Sequence, residues 1–484
     1  MISSMRGEGT DALLARIRQG AAMTTGQKLR LAMLLSVPAV IAQLSSIVMQ
    51  YIDAAMVGHL GAEASASIGL VSTSTWLFSG MCGAAATGFS VQVAHRIGAG
   101  DMQGARAVLR QSLIATFAFS LMLALIGVAI SDMLPVWLGG DTSICGDSSL
   151  YFMIYAAFLP AMQLNFLASS MLRCSGNMKV PSMLGVTMCA LDVVFNFLLI
   201  FPSHHWDIGF LSLTIPGAGM GVKGAALGTA AAETVVAAIL IWYLSARSTE
   251  LKLTGEHGRF LPRRETIRKA LNIGLPMGVE HVLICGAQIL TTVIVAPLGV
   301  FAIAANSFAV TAESLCYMPG YGIADAATTL VGQSIGAKNR TLTRSFARIT
   351  VGMGMVVMGV MGVLMYIFAP EIIGLMSPVR EIRDLGVMAL RVEAFAEPMF
   401  AASIVAYGVF VGAADTLVPC VMNLFSIWAV RLTLAALLAP TMGLKGVWVA
   451  MCIELCFRGL IFLIYLKWER WMRKVKPKSQ PDMG

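Results

Sequence analysis

Residues 33–61 read MLLSVPAVIAQLSSIVMQYIDAAMVGHLG, and residues 271–299 read LNIGLPMGVEHVLICGAQILTTVIVAPLG. Laid over one another at a difference of 238 in residue number, they pair Pro38 with Pro276, Gln50 with Gln288 and Leu60-Gly61 with Leu298-Gly299. Each is mostly apolar and long enough for a bilayer-crossing helix, which needs about 20 residues. The same difference pairs Ile97-Gly98-Ala99 with Ile335-Gly336-Ala337, Arg106 with Arg344, Arg110 with Arg348, Pro160 with Pro398, Asn177 with Asp415 and Pro181 with Pro419. Farther on, Gly221-Val222-Lys223-Gly224 pairs with Gly443-Leu444-Lys445-Gly446 at a difference of 222. The first copy therefore carries 16 extra residues around His204, His205 and Trp206. Chance supplies single matches, not an ordered run at one difference: the chain is written twice.

Composition says what kind of chain was doubled. Of its 484 residues, 57% are hydrophobic and only 12% are charged, with a mean hydropathy of +0.78. A soluble domain carries roughly a quarter charged residues, so a soluble surface is excluded, and a disordered chain is excluded by the abundance of apolar residues. No strand-like alternation runs through the sequence, which argues against a transmembrane barrel. The nine cysteines are scattered and match no metal or disulfide spacing, so they read as small packing residues. The 32 methionines read mostly as packing, with the softness to suit varied ligands where they line a cavity. Residues 1–30 read as a polar cytoplasmic arm, not a cleavable signal.

Apolar runs fall near 33–58, 65–95, 107–138, 149–172, 181–202 and 221–245, then near 270–296, 302–335, 345–368, 385–411, 417–440 and 446–466. With the N-terminus inside, the inner segments of this twelve-span map hold 27 of the 34 basic residues. Only Lys223, Arg380, Arg383 and Lys445 lie outside, and Arg391, Arg431 and Arg458 lie within spans. That asymmetry is what the positive-inside rule requires; it predicts cytoplasmic termini and makes nucleic-acid binding an unnecessary explanation of the net charge of +8. Six spans separate the copies, so both have the same orientation, a parallel repeat about an axis along the membrane normal. The predicted organisation is an arm (1–30), a first lobe (31–245), a polar linker (246–268), a second lobe (269–466) and a basic cytoplasmic tail (467–484).

Nine acids fall inside these spans: Asp53, Asp192, Glu233, Glu280, Glu313, Asp325, Glu393, Glu397 and Glu454. Each costs at least ~2.5 kcal/mol on insertion scales, so they must pair, carry protons or line a wet cavity. Some have plain structural readings. Glu454 and Arg458 are i, i+4 and form a salt bridge. Arg391 and Glu393 near a helix end can snorkel. Asp325 makes a local cap or loop contact, and Arg431 needs a partner that the sequence does not name; Glu397 precedes Pro398, where a helix unwinds, and leaves a structural and a functional role both open. His204-His205 reads as a solvated loop pair. His281 beside Glu280 lacks the second histidine of a zinc hydrolase motif.

Asp53, Asp192, Asn196 and Thr229 resist such readings. Asp53 lies deep in a span without a basic residue. Asp192 and Asn196 share one helix face, as do Thr229 and Glu233. Carboxylate, amide and hydroxyl oxygens suit a hard cation such as sodium; a proton needs only the carboxylates. Gln50, Asn165, Glu233, Glu280 and Glu313 are the candidates for a substrate cavity. Thr291 stands in the second copy where Asp53 stands in the first, so the halves are alike in shape and different in chemistry.

In order along both halves, the motifs resemble the multidrug and toxic compound extrusion (MATE) family, over roughly residues 30–465. They are Pro38 with VMQYIDAAMVGHLG (48–61), the Ile97-Gly98-Ala99 block and MLRCSGNMKVP (171–181). The second half adds Leu275-Pro276, YGIADAATTLVGQSIGA (321–337), GVFVGAADTLVP (408–419) and WAVRL (428–432). The resemblance implies an all-α, V-shaped pair of six-helix lobes in the bacterial inner membrane. It implies export of organic, often cationic and amphiphilic, compounds in exchange for Na+ or H+, without a cofactor and as a monomer in the lipid bilayer. It places the coupling cation on Asp53, Asp192, Asn196 and Thr229, which would be the metal ligands if that cation is Na+. Fifth spans of the family often show N-x-x-x-D or N-x-x-x-N, where this chain has Asp192-Val-Val-Phe-Asn196. Ile284 and Phe400 replace second-lobe acids of some relatives, which leans the chain toward the DinF-like bacterial branch. The alternative within the superfamily, a flippase for lipid-linked saccharides, needs a basic groove, whereas span residues here are acidic nine to three. A major facilitator lacks support because residues 95–101 do not fit its basic loop. No nucleophile–base pair supports an enzyme, and an internal duplication argues against a receptor.

Overall fold

The computed structural model describes residues 9–208, 211–255 and 258–472. In chain order the first half is α1 (Thr10–Gln19), α2 (Thr25–Gly58), α3 (Ala62–Gly98), α4 (Met102–Ile130), the single turn α5 (Leu134–Trp137), α6 (Thr142–Ala157), α7 (Leu159–Ser175), α8 (Lys179–Ile200), a hairpin of β1 (Pro202–Ile208) and β2 (Leu211–Ala218), and α9 (Gly221–Ala246). The second half is α10 (Arg264–Val295), α11 (Val300–Gly336), α12 (Arg340–Met376), α13 (Arg380–Glu393), α14 (Glu397–Gly412) and α15 (Leu417–Phe425). A π-helical stretch (Ser426–Leu432), α16 (Thr433–Met442) and α17 (Leu444–Trp468) complete it. Among the described residues, ten helical segments are long and apolar enough to cross a membrane alone. The bent pairs α6–α7 (48°) and α13–α14 (60°) bring the number to twelve. Both bends stand just before matched prolines, Pro160 and Pro398, whose missing N–H and ring oppose a continuous helix.

The repeat extends to the backbone. Gly61 and Gly299, before the second span of each half, have φ of 115° and 101°, a region closed to most side chains. Asp101 and Asn339 are matched N-caps, accepting from the Gly104 and Leu342 amides at 2.8 and 3.0 Å. The Gly104 amide, helped by Arg96, holds the Asp101 carboxyl below the usual carboxylate range. The copies diverge at the insertion. Read from sequence as a loop, it folds as an antiparallel hairpin that pairs Ile208 with Leu211. The side chains of His204, His205 and Trp206 lie outside the described residues.

Small residues join the two halves. A Cβ on Gly88 of α3 would stand 2.5 Å from the Ala270 carbonyl oxygen of α10, and one on Gly274 of α10 would stand 2.8 Å from that of Ala84. Where α3 and α11 end, a Cβ on Gly98 would meet the Gln333 carbonyl at 2.0 Å and one on Gly336 that of His95 at 2.1 Å. In lipid there is no hydrophobic drive between helices, so close backbone approach through glycine supplies the contact. Side chains then bond across: His95 Nε2 lies 2.8 Å from the Gly412 carbonyl, and Gln333 Nε2 donates to the Cys174 carbonyl at 2.9 Å.

The arm is more than polar. Leu13, Leu14 and Ile17 of α1 are buried in a cluster that joins Leu31 and Met178 of the first half to Leu330, Phe346 and Val409 of the second. Arg18 pins the helix by donating to the Ser175 carbonyl (3.4 Å) and to Glu250 (3.1 Å).

Because the Gly98 and Gly336 contacts are with backbone, a methyl there cannot be absorbed by a rotamer change. Gly98→Ala and Gly336→Ala should each lower stability by roughly 1–3 kcal/mol, read as a lower melting temperature of the detergent-solubilised protein. Gly352→Ala, where a Cβ meets nothing within 4 Å, is the control.

Candidate functional site

In the first half, α8 runs against α2 and α9, and the three helices bring the predicted oxygens together. Asp192 and Asn196, one turn apart on α8, are each 1% exposed. The Asn196 amide donates from Nδ2 to Asp53 Oδ1 of α2 at 3.0 Å and to Asp192 Oδ2 at 3.1 Å. The Asp53 and Asp192 carboxyls lie within hydrogen-bonding reach of each other. Thr229 of α9 lies beside Asp192. With the amide nitrogen committed to the two acids, Asp192 Oδ1 and Asn196 Oδ1 remain buried with no donor. Two orphaned oxygens beside a half-buried carboxylate are acceptors without a cation, which is the chemistry a hard ion or a proton completes.

Gly228 sets this approach. A Cβ there would stand 2.0 Å from Asn196 Oδ1, so only glycine lets α9 lie this close to the amide. The only sequence signal for it is its place in the small-residue run GAALGTAAAE (224–233). Tyr151 of α6, within electrostatic range of both acids, carried no signal.

The remaining candidates do not join that cluster. Asn165 of α7 donates to Glu233 of α9, forming a separate pair. Gln50 is exposed on α2. Glu280 of α10, buried, accepts from the Tyr407 hydroxyl and from Asn423 Nδ2, both at 2.6 Å. Glu313 is buried within the field of Arg431 and Arg458.

These arginines answer an open question of the sequence. Arg431 donates from Nε and Nη2 to Glu454 at 2.9 and 2.6 Å. Arg458 adds 3.1 Å and the Ser426 hydroxyl 2.6 Å. Ser426 and Arg431 both lie on the π-helical stretch, whose wider turn carries them to one acid. The expected Glu454–Arg458 bridge is present, with a second arginine added. Two expectations are corrected. Glu393 does not snorkel: it and Glu397 are fully buried, and none of their four carboxyl oxygens meets a donor. Only Arg391 reaches the surface, its guanidinium 5.2 Å from the centre of the Tyr366 ring. Asp325 makes no local cap; it accepts from Arg173 of the other half at 2.7 Å. In both cases the packing of a distant helix, invisible to local sequence, decides the partner.

A sequence profile of the MatE family matches residues 38–198 and 276–437, two segments that begin at the paired Pro38 and Pro276. Similar chains include the probable multidrug resistance protein NorM of Thermotoga maritima, 26% identical over 426 residues (86% of this chain, 88% of that one). The protein of that name from Synechocystis sp. is 26% identical over 459 residues (92% and 95%). Among solved structures, an outward-facing multidrug resistance MATE family transporter of the MOP superfamily superposes with a TM-score of 0.85 at 20% identity, covering 97% of this chain and 100% of that one. The bent form of the Vibrio cholerae transporter VcmN gives 0.82 at 18%, covering 93% and 98%.

Three substitutions test the packing of these clusters. Gly228→Ala should displace Asn196 and cost roughly 1–3 kcal/mol of stability. Glu454→Gln should cost about 3–5 kcal/mol, because it leaves two arginines short of their buried counter-charge. Glu397→Gln, which preserves shape and removes no hydrogen-bond partner, should melt close to the wild type. Thermal unfolding of the purified variants checks all three.

Proposed function

Since the chain belongs to the MatE family of membrane transporters, we propose that it is a secondary antiporter of the inner membrane. It exports organic, often cationic and amphiphilic, compounds in exchange for inward Na+ or H+. The observation that carries the coupling role is the Asn196 amide shared between Asp53 and Asp192, with two buried oxygens left without a donor. A sodium ion would take its ligands from Asp53, Asp192, Asn196 and Thr229; a proton would bridge the two facing carboxyls.

Site occupancy is linked to access through α2. That helix carries Asp53 and also leans on the opposite half: Tyr51 donates to the Thr311 carbonyl at 2.8 Å, and Val40 packs where a Cβ on Gly322 of α11 would meet its nitrogen at 2.7 Å. Pro38 removes one rung of the α2 hydrogen-bond ladder, so bending there is cheaper than elsewhere in the helix. Neutralising Asp53 removes the charge that holds the outer end of α2 to Asn196. The helix then shifts against α11, and the two halves re-pack. The Asn165–Glu233 pair and the Glu280 cluster supply negative charge for a cationic substrate on either side of the interface between halves. The predominance of acids in the spans supports this reading over a saccharide flippase.

Efflux of a cationic dye tests the coupling. Asp53→Asn and Asp192→Asn, at wild-type protein levels, should reduce export to background. Wild-type export by Asp53→Asn overturns the mechanism. In inverted vesicles, a pH gradient or a sodium gradient imposed alone identifies the coupling ion by which of them drives transport.

A further inference from the structure

Beside the bend between α13 and α14, the second half has a cavity of about 490 Å³, walled by α13, the later turns of α12 and the start of α17. Two cations line it, Arg391 of α13 and Lys445 of α17. The rest of the lining, which includes Tyr366, Phe395, Val449 and Ile453, is apolar or aromatic. Tyr366 orients the arginine. Arg391 Nε donates to the Tyr366 carbonyl at 3.4 Å, and the guanidinium lies over the Tyr366 ring. Its two terminal nitrogens donate to no group among the described residues.

Among the described residues, neither Arg391 nor Lys445 forms an ion pair. The acids nearest them along their own helices are placed elsewhere. Asp384 lies 3.9 Å from Arg380, Glu454 is taken by Arg431 and Arg458, and Glu393 is buried without a donor. The doubled plan does not require this arrangement. At a difference of 238, Tyr366 and Arg391 fall on Val128 and Met153, while Lys445 keeps Lys223 as its counterpart at 222. The second half thus has a phenol and a guanidinium where the first has two apolar side chains. A guanidinium without a counter-charge is costly in a span, and at the lipid border it calls for an anion from outside the chain.

We propose that this cavity holds the phosphate of an anionic phospholipid between Arg391 and Lys445, with its acyl chains against Phe395, Val449 and Ile453. A guanidinium fork and an ammonium are the donors that recognise phosphate. The wall favours a lipid over a soluble phosphate, because Phe395 and Ile453, 71% and 46% exposed, stand on membrane-spanning helices where an acyl chain can cover them. The depth fits a headgroup. Lys445 is the second residue of α17, at a span end, and Tyr366 is the kind of residue that marks the membrane border. The charge favours an anionic lipid over a zwitterionic one, whose own ammonium would find no carboxylate in this wall. An occupied site ties α13, just before its bend, to the start of α17.

The test uses the full-length protein in a neutral maltoside detergent, melted with phosphatidylglycerol, phosphatidylcholine or inorganic phosphate added. Phosphatidylglycerol should raise the melting temperature, and phosphatidylcholine should not. Arg391→Gln combined with Lys445→Gln should bind phosphatidylglycerol about tenfold more weakly or worse. Lys223→Gln, at the matched lysine of the first half, should respond to phosphatidylglycerol as the wild type does. Should the double variant not fold, Lys445→Glu serves, because that exposed lysine has no ion pair to lose. Retained lipid is then counted by native mass spectrometry, and fewer bound phosphatidylglycerol molecules are expected. Unchanged phosphatidylglycerol binding in these variants, an equal loss in Lys223→Gln, or equal stabilisation by phosphatidylcholine overturns the site. A shift with inorganic phosphate equal to that with phosphatidylglycerol overturns the lipid as its occupant.

Discussion

A charge in hydrocarbon must be answered, and the polar architecture of this transporter is a set of answers. Water is absent from the membrane core, so each buried acid needs donors, a counter-charge, a bound cation or a proton of its own. The chain uses different solutions in different places. Glu454 has two arginines and a hydroxyl, Glu280 has a phenol and an amide, and Glu233 has an amide alone. Asp325 takes its arginine from the opposite half. The Asp53–Asp192–Asn196 group is incomplete by comparison, because one amide serves two acids and two oxygens are left over. That incompleteness is what supports the coupling role proposed for this group.

The duplication gives both halves one backbone and frees their side chains to diverge. Matched glycines share left-handed φ values, matched caps bond the same turn, and matched prolines bend the same spans. On that common frame Asp53 is answered by Thr291, Arg247 by Glu469, and the continuous α8 by a span interrupted with a π-helical stretch. In the first half two buried oxygens of the Asp192–Asn196 pair keep no donor, while in the second Thr291 turns to its own helix backbone and Glu469 is held by Arg344.

Much of this was readable in advance. Span number and the doubled plan follow from apolar run length and matched motifs, and the absence of basic residues near Asp53 singles out one of the acids that the fold brings together. The pairing of Asp192 with Asn196 follows from helix periodicity alone. Partners from other helices were not readable. Nothing local ties Arg431 to Glu454 across 23 residues, Arg173 to Asp325 across 152, or Gly228 to the amide it admits. The burial of Leu13, Leu14 and Ile17 was equally hidden, because a ten-residue amphipathic segment shows no partner until helices of both halves are assembled around it.

Hydropathy, charge placement and repetition are properties of the chain read in one dimension. They suffice for the membrane, the twelve spans and the two copies, because lipid imposes the same requirement on every span independently. Which acid meets which donor is a property of helices packed side by side. It depends on a few ångströms of approach set by glycines and bends. Only the folded molecule therefore decides that Asp53 and Asp192 share the Asn196 amide with oxygens to spare, while Glu454 forms a closed ionic network.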